Sequence, residues 1–163
     1  MVLDCGEDKC DAHEEYGFTV CCEDFRRRET EFIKAVIANA KDEYEADGVK
    51  NRVIVCHVPF TEPCEPPFNI ERELYAEWAK LLKENIRPQF MLSGHLHKFY
   101  VKESASVNAD INQPCPLVVA SETQKDSTFW GGALTLYSGK VTVEFTSSEG
   151  DVFPDKHNIV FKN

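Results

Sequence analysis

The residues of this 163-residue chain that carry most chemical content are three histidines, His57, His95 and His97. Neutral imidazole is a good ligand for Zn, Mn, Fe, Co and Ni. His57 directly follows the apolar run Val53-Ile54-Val55-Cys56. His95 and His97 follow Phe90-Met91-Leu92 after the turn-forming pair Ser93-Gly94. An unbroken apolar run rich in β-branched residues reads as a strand buried on both faces. Between the two runs, Leu74, Trp78, Leu81 and Leu82 repeat at helical spacing, with Asn69 as the cap and Pro88 as the stop. Strand, helix, strand is a βαβ unit, so the two strands are expected to be parallel. Open α/β sheets place ligand sites at the carboxyl ends of such strands, which is where all three histidines fall. In an extended segment, residues two apart point the same way. His95 and His97 therefore converge on one locus, and Gly94 permits the tight backbone just before them.

The elements that must hold these ends follow from the rest of the chain. Val2 to Cys5 reads as a strand ending at Gly6, and Phe18 to Cys22 as a short extended piece. Asp24 caps a long helix whose apolar face is Phe25, Phe32, Ile33, Val36, Ile37, Ala40 and Tyr44, with Gly48 as its stop. Val58 to Asn69 holds Pro59, Pro63, Pro66 and Pro67 and is a loop. After residue 97 the pattern turns to strands: Phe99 to Val101, Leu117 to Ala120, Ala133 to Tyr137, Val141 to Phe145, and an edge strand at Ile159 to Phe161. Ser138-Gly139 is a hairpin signal. The fold class is α/β, a mixed β-sheet or sandwich with flanking helices. Residues 1–163 form one domain, with an α/β part at 1–97 and a β-rich part at 98–163.

Composition removes several classes of function. Hydrophobic residues are 42% and charged residues 28%, an ordinary globular balance that excludes collagen-like and low-complexity chains. No apolar run approaches the roughly 20 residues needed to span a bilayer, so no membrane partner is expected. A net charge of −10 lacks the basic footprint of a general nucleic-acid binder. It leaves phosphorylated substrates open, because a metal supplies local positive charge. The 7 cysteines are odd in number and not spaced like a secreted disulfide scaffold, so reduced thiols and a cytoplasmic location are the simpler reading. Asp4, Glu7, Asp8 and Lys9 interrupt any signal-peptide core near Met1.

His57-Val58-Pro59-Phe60 after a buried strand, followed by Ser93-Gly94-His95-Leu96-His97, resembles the last two metal-binding motifs of the calcineurin-like metallophosphoesterases. Leu3-Asp4-Cys5-Gly6-Glu7-Asp8 resembles the strand and loop just after that family's Gly-Asn-His motif. The resemblance covers residues 1–145 and implies a C-terminal portion of a larger phosphoesterase, with the fold of the family's C-terminal half. It implies that His57 and His95 bind one metal ion and His97 the other. The parent would hold two divalent ions, Mn, Fe, Zn, Co or Ni, and hydrolyse a phosphate ester.

The family's Asp-x-His, Gly-Asp-x-x-Asp and Gly-Asn-His motifs have no counterpart here, and with them go the bridging carboxylate and the acid histidine. Asp11-Ala12-His13 has the letters of the first, but no apolar strand precedes it. Gly150-Asp151-Val152-Phe153-Pro154-Asp155 has the wrong spacing and position. The chain alone is therefore expected to bind metal weakly or not at all and to hydrolyse phosphoesters poorly. It is also expected to expose a sheet edge where the missing N-terminal half would pair, and so to favour a homodimer.

Two other classes compete. Cys10-x-x-His13 with Cys21-Cys22 nearby reads as a structural zinc cluster of non-standard spacing. Cys56, Cys115 and Cys21 read as core hydrophobes. A non-catalytic binding module would instead use the proline-rich loop with Phe60, Phe68 and Trp130. Trp130-Gly131-Gly132 reads as a bend before a strand.

Overall fold

The computed structural model describes residues 1–103, 111–125 and 127–161. Its strands are β1 (Val2–Leu3), β2 (Val53–Cys56), β3 (Phe90–Ser93), β4 (Lys98–Lys102), β5 (Leu117–Lys125), β6 (Thr128–Tyr137), β7 (Lys140–Ser147) and β8 (His157–Val160). Two helices, α1 (Cys22–Ala38) and α2 (Arg72–Leu81), fill the first half, and α2 runs on into a π-helical turn at Leu82–Ile86. The architecture is mixed α/β. The strands hydrogen-bond in the order β1-β2-β3-β5-β6-β7-β8, with β4 pairing β5. β1, β2, β3 and β5 are mutually parallel, whereas β4, β6, β7 and β8 run antiparallel to their neighbours. The expected βαβ unit is thus β2-α2-β3, in the register Val53↔Phe90 to Val55↔Leu92.

Alternation along these strands divides two cores. Ile54 and Cys56 of β2, Met91 of β3, and Leu117 and Val119 of β5 join Leu3 with Ile33 of α1 and Trp78 of α2 in the first. Val53, Phe90, Leu92 and Val118, one position over, belong to the second, with Val141, Val143 and Phe145 of β7 and Ile159 of β8. Helices therefore cover one face of the parallel strands, and the antiparallel strands return to pack on the other. Trp78 locks α2 to α1: it is fully buried and its Nε1–H donates to Thr30 Oγ1 at 2.7 Å. No helix among the described residues is long and apolar enough to cross a membrane.

Several elements depart from their sequence reading. α1 starts at Cys22, so Asp24 lies inside its first turn. Its cap comes from Asp11, whose carboxylate accepts from the Cys22 N–H at 2.9 Å and the Glu23 N–H at 3.3 Å. Phe18, at φ 60°, breaks the extended piece expected over 18–22. α1 ends at Ala38, and a series of turns rather than helix carries the chain to Gly48. α2 begins after Glu71, which is left-handed at φ 51°, rather than at Asn69. Trp130-Gly131-Gly132 is no bend: it lies within β6, paired with Ser147, Thr146 and Phe145. A Cβ on Gly132 would sit 3.1 Å from Ala120 Cβ and 3.2 Å from the Phe145 ring, so glycine here serves close packing. β2 is buried on one face only over its second half, because Val55 is 40% exposed beside Val2 at 71%. Sequence periodicity reports burial of a run, not whether a neighbouring layer reaches every residue in it.

Candidate metal centre

Each candidate ligand leaves the carboxyl end of a parallel strand. β2 ends at Cys56, whose side chain turns into the core while the next residue, His57, is exposed. β3 ends at Ser93, and the Gly94 N–H then donates to the His57 carbonyl at 3.0 Å, tying the two strand ends together. The His57 and His95 rings meet edge to face with centroids 5.2 Å apart. The segment carrying His95 and His97 is not extended: both are left-handed, at φ 62° and 52°, with Leu96 N–H bonded to the Gly94 carbonyl at 2.7 Å. The strand-alternation argument for their convergence therefore fails. What brings them together is a tight turn, and both line one cavity with Asp8. A left-handed L-residue costs on the order of 1–2 kcal/mol, and two so close together mark a place where the surrounding structure dictates the backbone.

Asp8 joins the site from the loop after β1. Its Oδ2 lies 3.3 Å from His95 Nε2, and its Oδ1 accepts from Tyr16 Oη at 3.0 Å and Lys9 Nζ at 3.1 Å. Burial raises the Asp8 carboxyl, but the hydrogen bonds from Lys9 and Tyr16 outweigh it and hold the group below its ordinary value. Burial also lowers His95; Asp8 opposes that shift, and His57 and His97 add to it. The net effect favours neutral imidazole, the form that binds metal. The loop itself is fixed by Arg26 of α1. This side chain is fully buried, and its Nη1 donates to the carbonyls of Cys5 at 2.9 Å and Glu7 at 3.2 Å. Cys5, just past β1, and Cys56 at the end of β2 face each other with sulfurs 3.3 Å apart, and the hydrogen bond between the thiols, together with burial, holds Cys56 protonated.

The donor set of three imidazoles and a carboxylate suits the transition ions named above. Among the described residues, no three His, Cys, Asp or Glu side chains stand close enough together to hold an ion. His57 and His95 adjoin, and His95 adjoins Asp8. A metal at His95 Nε2 would take the place of the contact with Asp8, whereas one at Nδ1 would leave it intact.

The decoy Asp11-Ala12-His13 is accounted for by structure. Asp11 caps α1, and His13 Nδ1 accepts from the Glu15 N–H at 3.3 Å, fixing a short 3₁₀ turn at Glu14–Tyr16. All seven cysteines carry free thiols; Cys56 and Cys115 are buried as expected, but Cys21 is exposed, because it stands just before α1 and outside the core. Of the aromatic residues assigned to a binding module, Phe60 is buried against Tyr75 and Trp78, and Trp130 stacks on Phe99 in the second core at 5.3 Å. Phe60 and Phe68 both line the cavity beside the histidines, and of the two only Phe68 is exposed. Asp8 and Arg26 escaped the sequence reading. Asp8 had the same signal as the histidines, a position just past a parallel strand, while Arg26 had none, being one charge on a charged helix.

No family model matches this sequence, and no curated protein matches it.

Proposed function

We propose that this chain supplies the last histidine ligands of a dinuclear metal site that hydrolyses a phosphate ester, as its resemblance to the calcineurin-like metallophosphoesterases implies. The observation that supports this reading best is the meeting of His57 and His95 at the ends of adjacent parallel strands, bridged by the Gly94–His57 hydrogen bond. In this reading His57 and His95 hold one ion and His97 the other. The bound ions would supply a hydroxide nucleophile and charge neutralisation for an in-line phosphoryl transfer. With a metal on His95 Nδ1, Asp8 would orient the ring through Nε2, and Lys9 and Tyr16 hold Asp8 in place. The bridging carboxylate and the acid histidine would come from outside these 163 residues. The surface suited to receive them is the open hollow beside His57 formed by Val2, Val55, Leu92 and Leu134. Left uncovered, the same surface and the free edge of β1 would favour pairing with a second copy.

Calorimetric titration with Mn²⁺ tests the reading. The chain should bind the ion weakly, with at least about a tenfold loss of affinity in His57→Ala and in His95→Ala, the scale of removing one ligand or its support. Hydrolysis of 4-nitrophenyl phosphate should stay near background. Equal metal affinity in wild type and both variants would overturn the assignment. Robust metal-dependent turnover by this chain alone would overturn the division of the site between this chain and a further part.

A further inference from the structure

His95, His97 and Asp8 line one end of a cavity of about 440 Å³. That volume is in the range of small-molecule sites, about 300–1,000 Å³. The rest of its wall is largely apolar: Pro59, Phe60, Phe68, Ile70, Leu96 and Ile111. The wall is built in advance of any ligand. Phe60 packs edge-on to Trp78 at 5.5 Å, and Glu62 accepts from Lys102 Nζ at 2.7 Å and Tyr100 Oη at 3.2 Å, anchoring the proline-rich loop to β4. Of the charged side chains lining it among the described residues, Asp8, Glu62 and Glu65 are carboxylates and Arg72 is a guanidinium. Asp8 is paired with Lys9 at 3.1 Å and Glu62 with Lys102 at 2.7 Å, so these carboxylates are largely neutralised and the apolar wall dominates what the cavity can recognise.

We infer that this cavity receives the organic group of the phosphoester, and that the group is apolar and of aryl size. The inference rests on the metal-site reading, since only a phosphoryl group held at the histidines would direct the organic group into this cavity. The lining also carries Asn69, Glu65 and Arg72, and it is the apolar stretch Phe68, Ile70, Leu96 and Ile111 that favours an aryl group over a polyphosphate, whose repeated charges it would leave unsolvated.

The test compares phenylphosphonate with methylphosphonate, which share a headgroup, by calorimetry on the full chain in millimolar Mn²⁺. Phenylphosphonate is expected to bind about tenfold tighter, equivalent to about 1.4 kcal/mol. Phe68→Ser should narrow that ratio to about threefold or less; Phe68 is 42% exposed, so its loss should not unfold the chain. His95→Ala should weaken both probes together. Equal affinity for the two probes, with both lost in His95→Ala, would overturn the cavity inference and leave the metal-site reading standing. A phenyl preference that persists unchanged in His95→Ala and without Mn²⁺ would overturn the metal-site reading and, with it, the assignment of the cavity to a phosphoester. Binding of neither probe would overturn both.

Discussion

The two halves of the molecule solve different problems with the same kind of strand. β6 and β7 pair without interruption from Trp130↔Ser147 to Tyr137↔Lys140 and close through a tight turn at Ser138-Gly139. Their inner face carries Phe145, which packs on Phe99 at 4.9 Å beside Trp130 and Phe153. This half is regular and apolar inside. The parallel half has shorter strands, an open patch at Val2 and Val55, and two consecutive strand ends that break into histidine-bearing turns. Its irregularity is concentrated where the titratable groups meet. The contrast indicates that the antiparallel half holds the fold together and the parallel half spends regularity on the site, the usual division between scaffold and functional loops.

The strongest way to break this comparison is to remove Phe145. The side chain is fully buried, and Phe145→Ala should destabilise the chain by about 3–5 kcal/mol, read as a lower urea midpoint. Metal affinity, measured where the variant is still folded, should stay within about twofold of wild type. A tenfold loss of affinity would show that the halves are coupled and that the division is false.

Arg26 is expected to move both quantities in the same direction. Arg26→Met leaves the buried carbonyl of Cys5 and that of Glu7 without their donor, at a cost of about 2–3 kcal/mol by the usual penalty for unpaired buried groups. Because those carbonyls fix the loop carrying Asp8, the variant should also weaken metal binding. Loss of stability with unchanged affinity would mean that Asp8 does not support His95.

How much of this was legible follows from what each signal encodes. Val53–Cys56 and Phe90–Leu92 announced themselves because a doubly flanked strand needs a continuous apolar run, and the helix between them fixed their direction. The hairpin at Ser138-Gly139 was legible because the turn demands a residue tolerant of positive φ, and Gly139 has φ 87°. Helix starts were misplaced for a definite reason. Asp24 and Asn69 have capping chemistry, but α1 takes its cap from Asp11, which is remote in sequence, and α2 starts from a left-handed Glu71. Trp130-Gly131-Gly132 misled because glycine admits both a bend and a close approach, and only the position of Phe145 decides between them. In the candidate site, the meeting of His57 and His95 was legible from residue type plus strand end. The left-handed turn that carries His95 and His97 was not, since the enrichment of histidine at positive φ is too weak a signal beside that of glycine.

That turn supplies the smallest and most discriminating prediction. At Gly139 in the antiparallel half, nothing lies within 4 Å of an added Cβ. Gly139→Ala should therefore cost only the backbone term, about 1–2 kcal/mol. His97 has the same left-handed backbone, at φ 52°, with a side chain that pays that term. His97→Gly removes the strain but adds unfolded-chain entropy worth about 0.5–1 kcal/mol, so the net change should lie between zero and about 1.5 kcal/mol of stabilisation. The same substitution should weaken Mn²⁺ binding. Stability and binding would then move in opposite directions, as they do where a functional site holds strained residues against the preference of the chain. Paired thermal melts of Gly139→Ala and His97→Gly decide the point. If His97→Gly is destabilised as much as Gly139→Ala, the histidine is making contacts that hold the turn, and its place there is structural rather than a concession to metal binding.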